Sequence, residues 1–121
     1  MDALGIHILV EFYGCSQSVL NDPAFIEKEM IRAAEMIEAT VITSSSHAFS
    51  PYGVSAVVVI SESHLTMHTW PEHEYAAVDL FYCTKKIDPW VAIEHLKDVL
   101  EAENATSVEL KRGSLRNFKD S

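Results

Sequence analysis

Seven residues, VSAVVVI at positions 54–60, are dominated by β-branched side chains and are apolar on both alternating faces. Such side chains lose rotamer freedom in a helix and pack well on a pleated surface, so the stretch reads as an inner strand of a sheet. An inner strand needs partners, and the following residues supply them. The chain breaks at Ser61-Glu62-Ser63-His64, resumes from His64 to Trp70, turns through Pro71 to Glu74 and resumes again from Tyr75 to Cys83. Connections this short join antiparallel neighbours, so the three strands form a meander. The first break is unusual. A tight hairpin ordinarily carries Asn-Gly or Asp-Gly, and here there is neither glycine nor proline.

The rest of the chain fits around that sheet. Leu4 to Phe12 reads as a first strand ended by Gly14. Asn21-Asp22-Pro23 is a capping residue followed by proline, the signature of a helix start. Ile26, Met30, Ala33, Ala34 and Ile37 then recur on one helical face, giving a helix over about Pro23–Glu38. Thr40 to Phe49 is a second strand, and Pro51-Tyr52-Gly53 is a turn. Asp88-Pro89 repeats the cap-plus-proline signal and opens a second helix to about Glu101, with Ile93, Leu96 and Leu100 inward. Ser107 to Leu110 reads as a last strand, and the tail from Lys111 is polar. The fold class expected is α+β: a single domain over 1–121, built as a two-layer α/β sandwich with a mainly antiparallel sheet and two helices on one face.

Composition narrows the function. Hydrophobic residues make up 48% of the 121, enough for one core. Nine Lys plus Arg against 18 Asp plus Glu leave a formal charge of −9. That argues against nucleic acid and anionic membranes, which call for basic patches. It suits a cationic substrate, and equally a surface that is acidic only for solubility. Cys15 and Cys83 are too far apart in the chain for a disulfide framework or metal spacing. The N-terminal MDALGIHILVEFYG lacks a basic region before its apolar run, so no signal peptide is expected, and the longest apolar run, Ala56 to Ile60, is far short of a membrane span. A cytoplasmic protein with reduced thiols is the expectation.

Strand pairing puts chemistry-bearing residues side by side. Centring the first hairpin between Ser61 and Glu62 sets Ser55 opposite His68. Centring the second near Glu72 sets Cys83 beside Ser61 and close to Ser63. Ser63 and His68, however, are five residues apart, roughly 17 Å along a strand. A bend, a bulge or a partner chain has to bring them together. Taken singly, each residue also has an ordinary use: a serine in a turn, a hydrogen-bonding histidine on a strand, a small cysteine in a core. The six histidines show no ligand spacing within one helix, so no metal is expected. There is no GxSxG elbow and no phosphate loop.

The segment HAFSPYGVSAVVVISESHLTMHTWPEHEYAAVDLFYC, residues 47–83, resembles the core of the prokaryotic S-adenosylmethionine decarboxylase proenzymes, and LGIHILVEFYGC and the DPW before the second helix are similar to that family as well. The resemblance thins after about Glu103. It implies self-cleavage between Glu62 and Ser63, giving residues 1–62 (a beta chain) and 63–121 (an alpha chain). The serine hydroxyl attacks the preceding carbonyl to form an ester. Elimination and hydrolysis then leave a pyruvoyl group, the covalent cofactor, where Ser63 stood. That would explain the missing glycine, which offers no hydroxyl. The resemblance further implies that Ser55 hydrogen-bonds the intermediate and that His68 removes the Cα proton. The ketone forms a Schiff base with the substrate amine. Cys83 reprotonates the product, a role in turnover that leaves cutting largely untouched. Phe49 is carried over as the face for adenine and Glu72 as the carboxylate for the ribose. Glu62 is expected to stay near the site, and Phe49 or Tyr13 to meet the sulfonium cation. Homodimers with sites near the interface are implied too.

Three positions depart from the family pattern. Ile6 and Ala48 stand where many members have a basic residue, and Glu74 stands where many have glycine. An added carboxylate such as Glu74 could suit a basic amino acid, so a pyruvoyl-dependent ornithine or arginine decarboxylase is the alternative of the same chemistry. An uncleaved, non-catalytic partner subunit is the alternative of another class. Retention of Ser55, Ser63, His68 and Cys83 together speaks against the latter.

Overall fold

The structure, a computed structural model, describes residues 3–83 and 86–115. The polar tail beyond Leu115 lies outside the described residues. Among the described residues there are six strands: β1 (Gly5–Tyr13), β2 (Val41–Ala48), β3 (Val54–Ile60), β4 (Ser63–Trp70), β5 (Tyr75–Tyr82) and β6 (Asn104–Arg112). They form one antiparallel sheet in the order β2-β3-β4-β5-β1-β6. Helices α2 (Pro23–Met36) and α3 (Pro89–Val99) cover one face, and a one-turn helix α1 (Gln17–Leu20) precedes them. This is the expected α+β sandwich with one added turn of helix.

Both long helices begin as the sequence requires. The Asp22 carboxylate accepts from the Phe25 amide at 3.1 Å, and that of Asp88 from the Trp90 amide at 3.1 Å, each with proline in the first turn. Ile26, Met30, Ala33 and Ala34 of α2 and Ala92, Ile93 and Leu96 of α3 then bury against Ile8, Val10, Phe12, Val58, Leu65, Met67 and Leu80 of the sheet. Truncating a fully buried member such as Met30 to Ala is worth about 2–5 kcal/mol. The α1 turn is capped by Ser16, whose hydroxyl accepts from the Val19 amide, and it buries Leu20.

Thr69 ties this layer to the site. Its buried hydroxyl donates to the Leu20 carbonyl at 2.7 Å and accepts from the Val54 amide at 2.9 Å. One side chain thus fixes the end of α1, the start of β3 and the middle of the His68-Thr69-Trp70 run. Gly53, just before β3, has φ +109°, and a Cβ there would meet the Thr69 carbonyl at 3.2 Å.

β6 is longer than the expected Ser107–Leu110. All nine of its residues are exposed, because it pairs only with β1 at the outer edge, beyond the cover of the helices. At the other edge, Glu27 of α2 holds β2, accepting from the Ser44 and Ser46 hydroxyls at 2.6 Å each, and these bonds keep its carboxyl below the usual range. The sheet face away from the helices is open. Alternation places His7, Leu9, Glu11, Tyr13, Ser55, His64, Thr66, His68, Trp70, Tyr75, Asp79 and Phe81 on it.

Candidate active site

The β3–β4 hairpin pairs Ile60 with Ser63 and leaves Ser61 and Glu62 as its loop. Glu62 adopts φ 62°, the left-handed conformation that turns ordinarily reserve for Gly or Asn. Holding a side chain there costs about 1–2 kcal/mol. The Glu62 carbonyl accepts a hydrogen bond from the Cys83 thiol at 3.0 Å. The expected neighbour of Cys83 was Ser61, and the register differs by one residue. The second turn runs through a 3₁₀ turn, Pro71–His73, and a left-handed Glu74 at φ 52°, which moves its centre between Glu72 and His73. The thiol therefore faces the carbonyl that immediately precedes Ser63.

Ser55 and His68 lie opposite each other, as the hairpin register predicts, and Ser55 Oγ is hydrogen-bonded to His68 Nδ1 at 2.8 Å. They line a cavity of about 290 Å³ with Phe49, Tyr52, Trp70 and Glu72. The Phe49 ring is half exposed and meets the His47 ring edge-on at 4.7 Å. Ser55, His68, Phe49 and Glu72 are thus gathered at one place. Tyr13 is not among them. It sits two strands away on the same face, its ring 5.5 Å from Tyr75, which is in turn 5.4 Å from Trp70. The Tyr13 and Tyr75 hydroxyls both donate to Glu11, which lowers the Glu11 carboxyl. Burial, followed by that carboxylate, pushes the Tyr75 phenol up to about 12. A larger groove of about 470 Å³ crosses the same face past His68, Asp79 and Glu11.

The polar residues therefore form two clusters. One holds Glu62, Ser63 and Cys83 at an end of the strands. The other holds Ser55, His68, Phe49 and Glu72, roughly 17 Å along β4. No bend or bulge in β4 closes the gap, since its pairing with β3 and β5 is regular from His64 to His68. A third polar cluster escaped the sequence reading. Asp79 of β5 binds His7 of β1 at 2.6 Å and lies 3.5 Å from His64 of β4, with the Thr66 hydroxyl on its other oxygen. The signal was the strand register, which sets His64 and His7 on either side of Phe81.

The family model described as S-adenosylmethionine decarboxylase matches residues 6–113. That places the chain among the carboxy-lyases. S-adenosylmethionine decarboxylase proenzymes are similar to it throughout. The one from Thermotoga petrophila is 56% identical over 113 residues, covering 93% of this chain and 87% of the relative. The one from Caldicellulosiruptor saccharolyticus is 53% identical over 113 residues, covering 93% and 91%. The crystal structure of the adenosylmethionine decarboxylase from Aquifex aeolicus superposes with a TM-score of 0.84 at 29% identity, covering 92% of each chain. The chain belongs to the S-adenosylmethionine decarboxylase family.

Proposed function

We propose that this chain cuts itself between Glu62 and Ser63, and that the mature protein decarboxylates S-adenosylmethionine to the aminopropyl donor used in spermidine synthesis. The observation that carries this is the Cys83 thiol on the Glu62 carbonyl at 3.0 Å. A serine hydroxyl is a weak nucleophile and needs a polarised electrophile. The thiol draws electron density from the carbonyl that Ser63 must attack, and it can stabilise the oxyanion that attack creates. The left-handed Glu62 holds that carbonyl in place. Ser63 is the first residue of β4, so the cut falls at the junction of turn and strand.

The family works through a pyruvoyl group made from a serine of its own chain. The residues here fit it: a hydroxyl amino acid directly follows a carbonyl that carries a thiol donor. Bound next to a substrate amine, such a ketone supplies an electron sink for loss of the carboxylate. Cys83, fixed beside residue 63, is placed to deliver a proton to the product carbon. Phe49 offers an aromatic face for the base and Glu72 a carboxylate for the ribose hydroxyls, in the cavity that also holds Ser55 and His68. Tyr13, outside that cavity, is left to a supporting place in the Glu11 cluster.

His68 removes the Cα proton during maturation, with Ser55 hydrogen-bonded beside it. It is too far along β4 to do so for Ser63 of its own chain. We infer a homodimer in which the open sheet faces meet about a two-fold axis, so that each copy lends Ser55, His68, Phe49 and Glu72 to the partner's Ser63 and Cys83. Leu9, Val59, Trp70, Val108 and Leu110 are exposed on that face and would be covered. Two free thiols suit the cytoplasm as the place of work.

Glu74 does not line the cavity that holds Ser55 and His68, so its carboxylate lends no support to ornithine or arginine as substrate. It serves the second turn, where its backbone carbonyl accepts from the Cys15 amide at 2.9 Å. The test has two parts. Denaturing electrophoresis with mass spectrometry should find pieces 1–62 and 63–121, the latter lacking a free amino group. Labelled CO₂ should be released from S-adenosylmethionine and not from ornithine or arginine. A single band matching Ser63→Ala would return the uncleaved-subunit reading, and release from a basic amino acid would overturn the substrate.

A further inference from the structure

Cutting the hairpin turns residue 63 into a chain terminus in the middle of the sheet. Terminal residues fray unless something ties them down, and residue 63 has to be held still beside Cys83. The third polar cluster begins one residue along β4 from that spot. His64 directly follows Ser63, and Asp79 lies four residues before Cys83 on the neighbouring strand. Asp79 Oδ2 accepts from His7 Nε2 at 2.6 Å and lies 3.5 Å from His64 Nε2, while Oδ1 accepts from the Thr66 hydroxyl. One carboxylate thus laces β4, β5 and β1. The His7 and His64 rings meet edge-on at 5.7 Å and both touch Phe81. Arg112 of β6 donates to His7 Nδ1 at 3.3 Å and lies over the Phe81 ring at 5.4 Å.

The same three side chains could also be read as a metal ligand set, since their donor atoms fall within 4.8 Å of one another. Arg112 decides against it. A guanidinium can only donate, so Nδ1 of His7 is the acceptor and Nε2 carries the proton that goes to Asp79. A cation at Nε2 would need that proton removed and would stand beside a fixed positive charge. The arrangement is a clamp in which Asp79 takes hydrogen bonds from His7 and Thr66 and lies 3.5 Å from His64.

We propose that Asp79 is a positioning residue: through His64, Thr66 and His7 it holds the first residues of β4, and with them residue 63, in register after the hairpin has been cut. This rests on cleavage at Glu62–Ser63. In the uncut chain the Ser61-Glu62 turn does the same job, so the clamp matters only once the turn is gone.

The experiment compares amide hydrogen exchange over residues 64–66 in four proteins: mature wild type, mature Asp79→Asn, uncut Ser63→Ala, and uncut Ser63→Ala with Asp79→Asn. Loss of the charge-assisted bonds should speed exchange there by about tenfold or more in the cut protein, and by less than about twofold in the uncut one. Equal acceleration in both would make Asp79 an ordinary structural residue, and no acceleration in the cut protein would also overturn the proposal. If Asp79→Asn fails to fold, His64→Asn is measured in the same scheme. If either variant folds but stays uncut, the clamp acts before cleavage and the proposal falls. A wild type that never cleaves would sink the cleavage and the clamp together, whereas a cleaved wild type with unchanged exchange sinks the clamp alone.

Discussion

The sulfur of Cys83 and the carbonyl oxygen of Glu62 are 3.0 Å apart, joined by a hydrogen bond across the ends of β5 and the β3–β4 turn. On the function proposed above, this contact would give the thiol a part in cutting as well as in turnover, a wider role than the family resemblance implied. Cys83→Ala should therefore slow self-cleavage by about 10–100-fold, somewhat less than the loss of a full oxyanion donor. Cys83→Ser, which keeps a donor, should retain more of the rate. Time courses of band conversion on denaturing gels measure both. Cleavage of Cys83→Ala at the wild-type rate would remove the thiol from the maturation step. The other thiol is a built-in control, because burial and then Glu74 push Cys15 up to about 11. Alkylation of the uncut protein should label Cys83 and spare Cys15.

The distance between Ser63 and His68 makes a prediction about mixtures. Ser63→Ala and His68→Ala should each be inactive alone. Co-expressed, they form hybrids in which the Ser63→Ala copy supplies His68 to the intact Ser63 of the other. Cleavage of the His68→Ala chain and a part of the decarboxylase activity should then appear. If the mixed preparation stays uncut while light scattering reports dimers, each site is complete within one chain.

Glu74 occupies the left-handed end of the second turn, at φ 52°. A glycine would have no side chain to strain there. Glu74→Gly should stabilise the uncut Ser63→Ala protein by about 1 kcal/mol, raising Tm by about 3–5 °C. Substrate preference should not change. Calorimetry checks the first and the CO₂ assay the second. A lower Tm would mean that the Glu74 side chain makes a contribution larger than its backbone cost.

Glu27 makes stability depend on pH. The Ser44 and Ser46 hydroxyls favour its ionised form and hold its carboxyl below the ordinary value of 4.5. A group whose folded value is depressed contributes stability that is fully present above the unfolded value and is lost as pH falls through the folded one. Glu27→Gln should thus be less stable than wild type near neutrality, and the two should converge below the carboxylate range. Because the pair is solvent-screened, the gap should stay under about 1 kcal/mol. Urea titrations of uncut protein across that pH range give the answer. A constant gap would assign the effect to packing.

Much of this fold was readable from local chemistry. Asp22-Pro23 and Asp88-Pro89 announced both long helices, and the β-branched run at Val54–Ile60 announced the inner strand. Hairpin arithmetic placed Ser55 against His68. It missed the partner of Cys83 by one residue because the second turn contains a 3₁₀ turn that spacing alone does not disclose. The α1 turn is too short for any periodic signal. β6 was underestimated because both its faces are wet, so its apolar residues alternate without a core to select them. Asp79 stayed invisible for a different reason. Its partners come from β1 and β4, and 72 positions of sequence separate His7 from Asp79. The roles of Ser63 and Cys83 came from family likeness, since no spacing rule distinguishes a reactive turn serine from an ordinary one.

The strand order has a consequence for the mature molecule. Severing the chain after Glu62 assigns β1, β2 and β3 to one piece and β4, β5 and β6 to the other. In the sheet, β1 is inserted between β5 and β6. The two pieces are interlocked, and neither can leave without stripping β1 from both of its neighbours. Heat or urea that does part them would leave two strangers that must find each other in solution, so rebuilding of the sheet after denaturation should depend on dilution, whereas the uncut precursor rebuilds its sheet within one chain.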